Sequence, residues 1–413
     1  MMVAGLQRAF RAEPCLAVCV MLLGCGDSIG GGPQGASVSA GTGIPSTSVG
    51  GSSTSSVGSS SSGGGGTARQ LDWAGLPCDL TAEVPSQQAL SWAADCGAGC
   101  ERLVTTNDGG PLAVSSYRQV GDVVTALVLR DGRYESVAWK VTTGEEMLAF
   151  GTPEENCRIQ VHHPVGSRGW LGVARLGTAS SASYYDFEYS TLDASRLDVP
   201  TSWVSQGYAA NDRLLVLEDA DGPTGPVVGV WSRSSQLFQP LGSPAASFDP
   251  RVFDNLILFK GPASGQGLVD IYSWDSETPI LPPTPRTQAP QEQLADNPWV
   301  IGGSELMWVQ GTSGQIGALY RGAITNGLIA GQEVATVGNT ADGLGSDKHS
   351  VTLDSQHLYV VRLEDGSSET IEFPPGTFAR EVGYVGERGE MDAASGSVAV
   401  VVARNGVFRY ELQ

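Results

Sequence analysis

Past Arg69 the chain alternates short apolar runs with turn residues, and one unit recurs: a polar start, a strongly apolar run, a Gly/Asp/Asn turn, and a second run carrying aromatic side chains. Runs of this length, rich in β-branched and aromatic residues, read as strands, and Asp-Gly or Asn-Gly between two of them reads as a hairpin. The first copy spans 122–129 and 134–141 around Asp131-Gly132, and the second pairs 170–176 with 184–189. The third pairs 212–217 with 227–231, the fourth 256–259 with 268–274, and the fifth 306–309 with 316–320. The sixth sets 358–361 against 370–373 across Asp365-Gly366, and the seventh sets 398–402 against 407–412 across Asn405-Gly406.

Successive copies lie about 40 to 50 residues apart, the spacing of four-stranded propeller blades, and each leaves room for two more strands. No helical period appears beyond a possible short turn after Ser86, so the pattern predicts an all-β chain. A radial β-propeller suits the repeat, and it leaves only short sheet edges. The count is seven blades, with six or eight as the alternatives. The chain ends on a strand, so ring closure is expected to pair that strand with residues just after the segment that precedes the repeats.

That preceding segment differs in composition. Arg8 and Arg11 stand before an apolar run, 15–23, of signal-peptide length and too short to span a bilayer. From Ser28 to about Thr67 the chain is almost all Gly, Ser, Thr and small residues, which cannot bury enough apolar surface to offset their ordering entropy. A flexible tether of that length has an r.m.s. reach of about 35 Å. The organisation expected is therefore a signal peptide over 1–24, a tether over 25–68 and a propeller over 69–413.

Of 413 residues, 24 are Lys or Arg and 44 Asp or Glu, a formal charge of −20. Such a polyanion repels nucleic-acid phosphates and anionic membrane surfaces, so neither is an expected partner. With 41% apolar and 16% charged residues the bulk of the chain can still bury a core.

Leu22-Leu23-Gly24-Cys25 at the end of the apolar run resembles the bacterial lipobox. The resemblance implies cleavage before Cys25 and acylation of its thiol (palmitate among the chains), each buried methylene adding about 0.8 kcal/mol of membrane affinity. In that family an Asp directly after the Cys favours inner-membrane retention. Here Gly26 follows and Asp27 comes one later, which implies a lipoprotein of the outer membrane of a Gram-negative bacterium, at its periplasmic face or the cell surface. Residues 69–413 resemble the bacterial propeller lipoproteins and are distantly similar to the periplasmic propeller of the Tol system. Trp274-Asp275 occurs once without recurring, unlike the WD-repeat signature.

The exported part holds Cys78, Cys96, Cys100 and Cys157, an even number, so disulfides are the default and three connectivities are possible. Cys96 and Cys100 are close enough for a local bridge, which leaves Cys78 to clamp Cys157; this is the pairing favoured. Matched Cys/His pairs for zinc are lacking, so no metal and no cofactor is expected.

Other patterns carry bland readings. Gly26-Asp27-Ser28-Ile29-Gly30 has the form of a nucleophile elbow, yet lacks the flanking strand and helix. His162-His163-Pro164 reads as a solvated loop pair, and His349 and His357 flank a strand. Asp219-x-Asp221-Gly222 starts like a calcium loop, but Val230 occupies the position of the bidentate acid, so it reads as a hairpin turn. Glu387, Glu390 and Asp392 near Arg388 read as a solvated loop.

No catalytic residue is assigned, and the chain is more a binding protein than an enzyme. The leading expectation is a lipid-anchored extracytoplasmic binding or scaffold propeller, tied to the membrane only by its lipid and presenting one face to a protein or glycan partner in the envelope. The alternative is an extracellular polymer hydrolase or lyase with its site in the channel. Two or more channel carboxylates would favour the enzyme, and an exposed apolar patch the docking module.

Overall fold

The computed structural model describes residues 68–413 apart from 85–89, 106–113, 131–132, 220–225, 242–246, 280, 313–314, 316, 338–341 and 386–396. Cys25, the tether, the turn at Asp221-Gly222 and the Glu387–Asp392 segment lie outside the described residues. Among those described the regular elements are all strands.

Each of the seven hairpins read from the sequence is present. Val123–Arg130 pairs with Arg133–Lys140, Arg168–Arg175 with Ser181–Glu188, and Leu214–Asp219 with Val227–Ser232. Leu256–Pro262 pairs with Val269–Asp275, Glu305–Gly311 with Gly317–Ala323, His357–Arg362 with Ser368–Glu372, and Val398–Ala403 with Gly406–Glu411. Each hairpin gains a strand on either side. Five of the resulting units, within 114–151, 157–196, 205–240, 294–337 and 342–372, have four antiparallel strands in sequence order.

The first strands of the units form the innermost layer. Val114–Val120, Cys157–Val165, Ser205–Ala210, Phe248–Phe253, Leu294–Ile301, Asp342–Gly345 and Ala379–Val382 touch in that succession. Tyr384–Val385 then pairs in parallel with Val114–Val120, Tyr384 opposite Arg118, and completes the ring. This is an all-β propeller around a central channel.

The blades bury both faces, which is why their strands are continuously apolar rather than alternating. Between the second and third, Trp170 and Trp231 meet edge to face at 5.4 Å amid Val161, Tyr184, Leu215 and Leu217. Each such side chain contributes about 1.5–3 kcal/mol by leaving water. Close approach explains Gly345, where a Cβ would overlap the Trp299 indole.

Closure differs from the expectation in one respect. Gly406–Glu411 pairs with Cys100–Thr105, Phe408 opposite Arg102, and Leu90–Ala93 lies outside that strand. The first described strands, Arg69–Leu71 and Leu80–Glu83, instead extend the outer edge of the first blade, with Thr81 opposite Gly151. Each part of this split carries one disulfide. Cys78–Cys157 fixes this early segment at the start of the second blade, and Cys96–Cys100 caps the entry to the closing strand. Their Cα atoms are 6.4 and 5.4 Å apart, and the pairing is the one favoured from spacing.

Candidate functional site

The innermost strands are kinked where they line the channel. Register shifts interrupt the pairing of 114–120 between Val114 and Tyr117, of 205–210 between Ser205 and Gly207, of 248–253 between Phe248 and Arg251, of 294–301 between Asp296 and Trp299, and of 379–382 between Ala379 and Glu381. A bulge re-aims the side chains beside it, and bulges gather next to binding and active sites. Two of these kinks hold a non-glycine residue at positive φ, Asp249 at 53° and Asn297 at 48°. Each precedes a proline, Pro250 and Pro298. Such backbones persist only where the surroundings over-determine them. The Asp249 N–H donates to Glu218 Oε2 at 2.8 Å, and the Asn297 N–H to Asp296 Oδ1 at 2.7 Å.

Charged side chains from separate blades meet at these kinks. Lys260 Nζ lies 2.9 Å from both Asp249 Oδ2 and Asp296 Oδ1. Arg251 Nη1 donates to Gly343 O at 2.8 Å, and its Nη2 lies 3.3 Å from Asn297 Oδ1 and 3.7 Å from Asp342 Oδ1. The Val382 N–H donates to Asp342 Oδ2 at 2.7 Å, and the next carboxylate, Glu381, lies 3.6 Å from Arg118 Nη1. The Arg118 guanidinium in turn sits 5.8 Å from the centre of the Tyr208 ring.

Exposure within this network is uneven. The cations Arg251 and Lys260 are 2% and 7% exposed, whereas Asp249, Glu381 and Asp342 keep 37%, 30% and 25% of their side-chain surface open. Walled in by protein, these carboxyls respond to their partners. Burial pushes Asp342 up to about 7 against the pull of the Arg251 charge and the Val382 N–H. Burial likewise raises Glu381, against Arg118, and Glu218. For Asp249 burial is outweighed by Lys260, Arg251 and Arg118, which hold its carboxyl below the usual range.

The histidine pair is not a solvated loop. His162 and His163 lie on the innermost strand Cys157–Val165, each 6% exposed, because that strand is walled by a blade on each side. Burial lowers both to about 3, so both rings are neutral at physiological pH. His162 Nδ1 meets Ser136 Oγ at 2.7 Å and its Nε2 meets the Tyr189 hydroxyl at 3.1 Å. This Ser–His contact has the distance of a nucleophile–base pair, but Ser136 is buried and the imidazole is a poor base. His163 packs edge to face on Tyr208 at 6.2 Å, and neither of its ring nitrogens has a hydrogen-bond partner. His349 and His357 lie elsewhere, His349 Nε2 3.3 Å from Gln413 O and His357 Nδ1 3.2 Å from Asp354 Oδ1.

The sequence reading missed Arg118, Asp249, Arg251, Lys260, Asp342 and Glu381 as a group, because they are spread over most of the repeats, from position 118 to position 381. Asp249-Pro250 and Asn297-Pro298, each inside a repeat's first strand, were the available signal. Among the described residues no group of three His, Cys, Asp or Glu is placed to hold a metal ion. Of the exposed large apolar side chains among the described residues, Leu237, Leu328 and Phe378 belong to different units, whereas Leu268 and Leu281 share the 248–285 unit and Val84 and Tyr134 the first blade's sheet.

No protein-family model and no curated protein matches this chain. Among solved structures, an oligogalacturonate lyase in complex with manganese is similar with a TM-score of 0.51 and 12% identity, over 84% of this chain and 97% of that one. The β-propeller domain of the Trilobed protease from Pyrococcus furiosus is 13% identical with a TM-score of 0.47, over 73% of this chain and 95% of that one. TolB from Acinetobacter baumannii is 11% identical with a TM-score of 0.37, over 58% and 62%. At these identities the first likeness carries the fold alone, and that fold is a β-propeller.

Proposed function

We propose that this chain is a lipid-anchored extracytoplasmic propeller that binds a polar group of a protein or glycan partner at its channel. The observation that carries the reading is the convergence of charged side chains from separate blades on one channel wall, with Asp249, Asp342 and Glu381 left partly open. Desolvated charge held on kinked innermost strands marks a recognition site more than a packing device.

The rest of the organisation is as the sequence suggests: a signal peptide over 1–24, acylated Cys25, a tether over 25–68 and a propeller over 69–413, at the outer membrane. Seven blades is the count adopted. Five units are complete, 248–285 adds a sixth whose fourth strand is only Thr284–Pro285, and 379–411 with 100–105 forms the seventh. The sixth joins its neighbour through a single parallel bridge, Val269 opposite Leu294. Cys25→Ala is expected to abolish lipid labelling and release the protein from membranes; retention of label would overturn the anchor. In-cell cross-linking with the anchored protein beside Cys25→Ala tests the partner, which should be recovered only with the anchored form.

A second reading meets the channel-carboxylate criterion set above, since Asp249, Asp342 and Glu381 lie partly open, although each already faces a protein cation. A carboxyl near 7, Asp342, beside Arg251 can act as an acid or a base at neutral pH, which an extracellular polymer hydrolase or lyase requires. Depolymerisation of plant or bacterial polysaccharides that Asp342→Asn removes would favour this reading.

A further inference from the structure

Between the strands Arg69–Leu71 and Leu80–Glu83 the chain runs as an irregular loop, 72–79, whose backbone is pinned by side chains of the second blade. The Ser183 hydroxyl donates to Gly75 O at 2.7 Å, the Tyr185 hydroxyl to Ala74 O at 3.2 Å, and Arg175 Nε to Pro77 O at 2.6 Å. Trp73 Nε1 donates to Leu192 O at 2.9 Å, and the Cys78–Cys157 disulfide fixes the far end. Gly75, at a φ of 75°, passes so close to the Arg196 guanidinium that a Cβ would overlap it. A loop held this way on a rigid scaffold loses little further entropy when a ligand binds.

The loop walls a cavity of about 480 Å³, within the size range of small-molecule sites. Gln70, Asp72, Trp73, Asp79, Glu154 and Arg175 line it, and none of them belongs to the channel wall. Trp73 is half-buried, its ring packed on Phe150, Tyr185 and Phe187 with centroids 6.0, 5.1 and 5.8 Å away, which fixes it where it lines the cavity. Arg175 Nη2 meets Glu154 Oε1 at 3.1 Å and Oε2 at 3.0 Å, and Oε1 also accepts the Asp79 N–H at 3.1 Å. Gln70 Nε2 donates to Asp79 Oδ1 at 3.2 Å, and Asp72 is exposed. One wall is thus aromatic and the rest mixes acceptors with donors.

We propose that this cavity binds a short neutral oligosaccharide, with the apolar face of a sugar ring against Trp73 and its hydroxyls on Gln70, Asp72, Asp79 and Arg175. A hydroxyl both donates and accepts, so one sugar can use the carboxylates, the amide and the guanidinium together. The indole supplies a large, rigid apolar contact for the ring's C–H groups. Three carboxylates beside one guanidinium repel an acidic sugar or a phosphate, and a basic group finds the Glu154 and Asp79 oxygens already holding donors. The cavity shares no residue with the channel, so this inference and the channel reading can fail separately.

The test is calorimetric titration of the full-length protein, solubilised in a sugar-free detergent at neutral pH, with chitotetraose, cellotetraose and maltotetraose, beside trigalacturonate and trilysine. At least one neutral tetrasaccharide should bind with a Kd of about 1 mM or tighter. Asp72→Ala and Gln70→Ala, both at exposed positions, and Trp73→Phe, which keeps a ring in the aromatic cluster, should each weaken that binding by roughly five-fold or more. Asp342→Asn, on the channel wall, should change it less than about two-fold. Circular dichroism and melting verify each variant's fold, and the two exposed positions decide the matter where Trp73→Phe loosens the loop. No binding of the three neutral sugars, or binding that the cavity variants leave unchanged, overturns the proposal. Preference for trigalacturonate or trilysine overturns the neutral sugar as the ligand. Sugar binding lost with Asp342→Asn alone overturns this cavity and supports the channel reading instead.

Discussion

The Arg251 guanidinium lies 3.7 Å from the Asp342 carboxylate although a whole unit, 294–337, separates their strands in the ring. Arg251 also holds Gly343 O and Asn297 Oδ1, so one side chain ties three consecutive units together at the channel. Replacing it leaves the Gly343 carbonyl without its donor and the Asp342 carboxyl without its facing cation. Arg251→Met is expected to destabilise the propeller by about 3 kcal/mol or more, read as a fall in melting temperature larger than that of Asp342→Asn.

Asp342 gives stability a specific pH dependence. Its folded pKa, about 7, lies above the ordinary carboxylate value, so between about pH 4 and 7 the unfolded chain ionises while the folded one keeps its proton. Stability therefore falls as pH rises through this window. Asp342→Asn lacks this pH dependence, so its unfolding free energy should gain on that of the parent protein from pH 5 to 8 by on the order of 3 kcal/mol, read from melting at each pH. A constant difference across that range would count against a raised pKa.

The histidines act with the opposite sign. His162 and His163 are held neutral with pKa values near 3, so their contribution is intact above about 6.5 and is lost as pH falls below it. The groups facing His163 are Arg118 and Tyr208, and those facing His162 are Ser136 and Tyr189. His163→Gln should lose less stability than the parent between pH 7 and 5, measured by melting at each pH.

The two disulfides differ in what they constrain. Cys78–Cys157 closes a loop with a sequence separation of 79, and Cys96–Cys100 one of 4. In the chain-entropy account the first is worth about 4 kcal/mol and the second about 2. Cys78→Ala with Cys157→Ala should lower the melting temperature more than the Cys96/Cys100 double variant, and thiol trapping should find four reactive cysteines among these positions only after unfolding in reductant.

Gly144 joins the closing segment to the first blade. Its carbonyl accepts the Leu90 N–H at 2.7 Å, its φ is 67°, and a Cβ would overlap the Leu90 backbone. Gly144→Ala should destabilise by about 2 kcal/mol or more and raise hydrogen exchange across Leu90–Ala93 first.

Local patterning determined the strands: apolar runs broken by Asp365-Gly366 or Asn405-Gly406 have few other ways to bury themselves, so the seven hairpins were legible. Cysteine spacing likewise pointed to Cys78–Cys157 and Cys96–Cys100, since short loops close first. Tertiary structure alone decided which residues share the channel. A propeller brings the first strands of distant repeats together, so Arg118, Arg251, Asp342 and Glu381 meet with no common local motif. It also decided that His162-His163 is buried, because the two neighbouring blades, not the pair's own sequence, cover that strand.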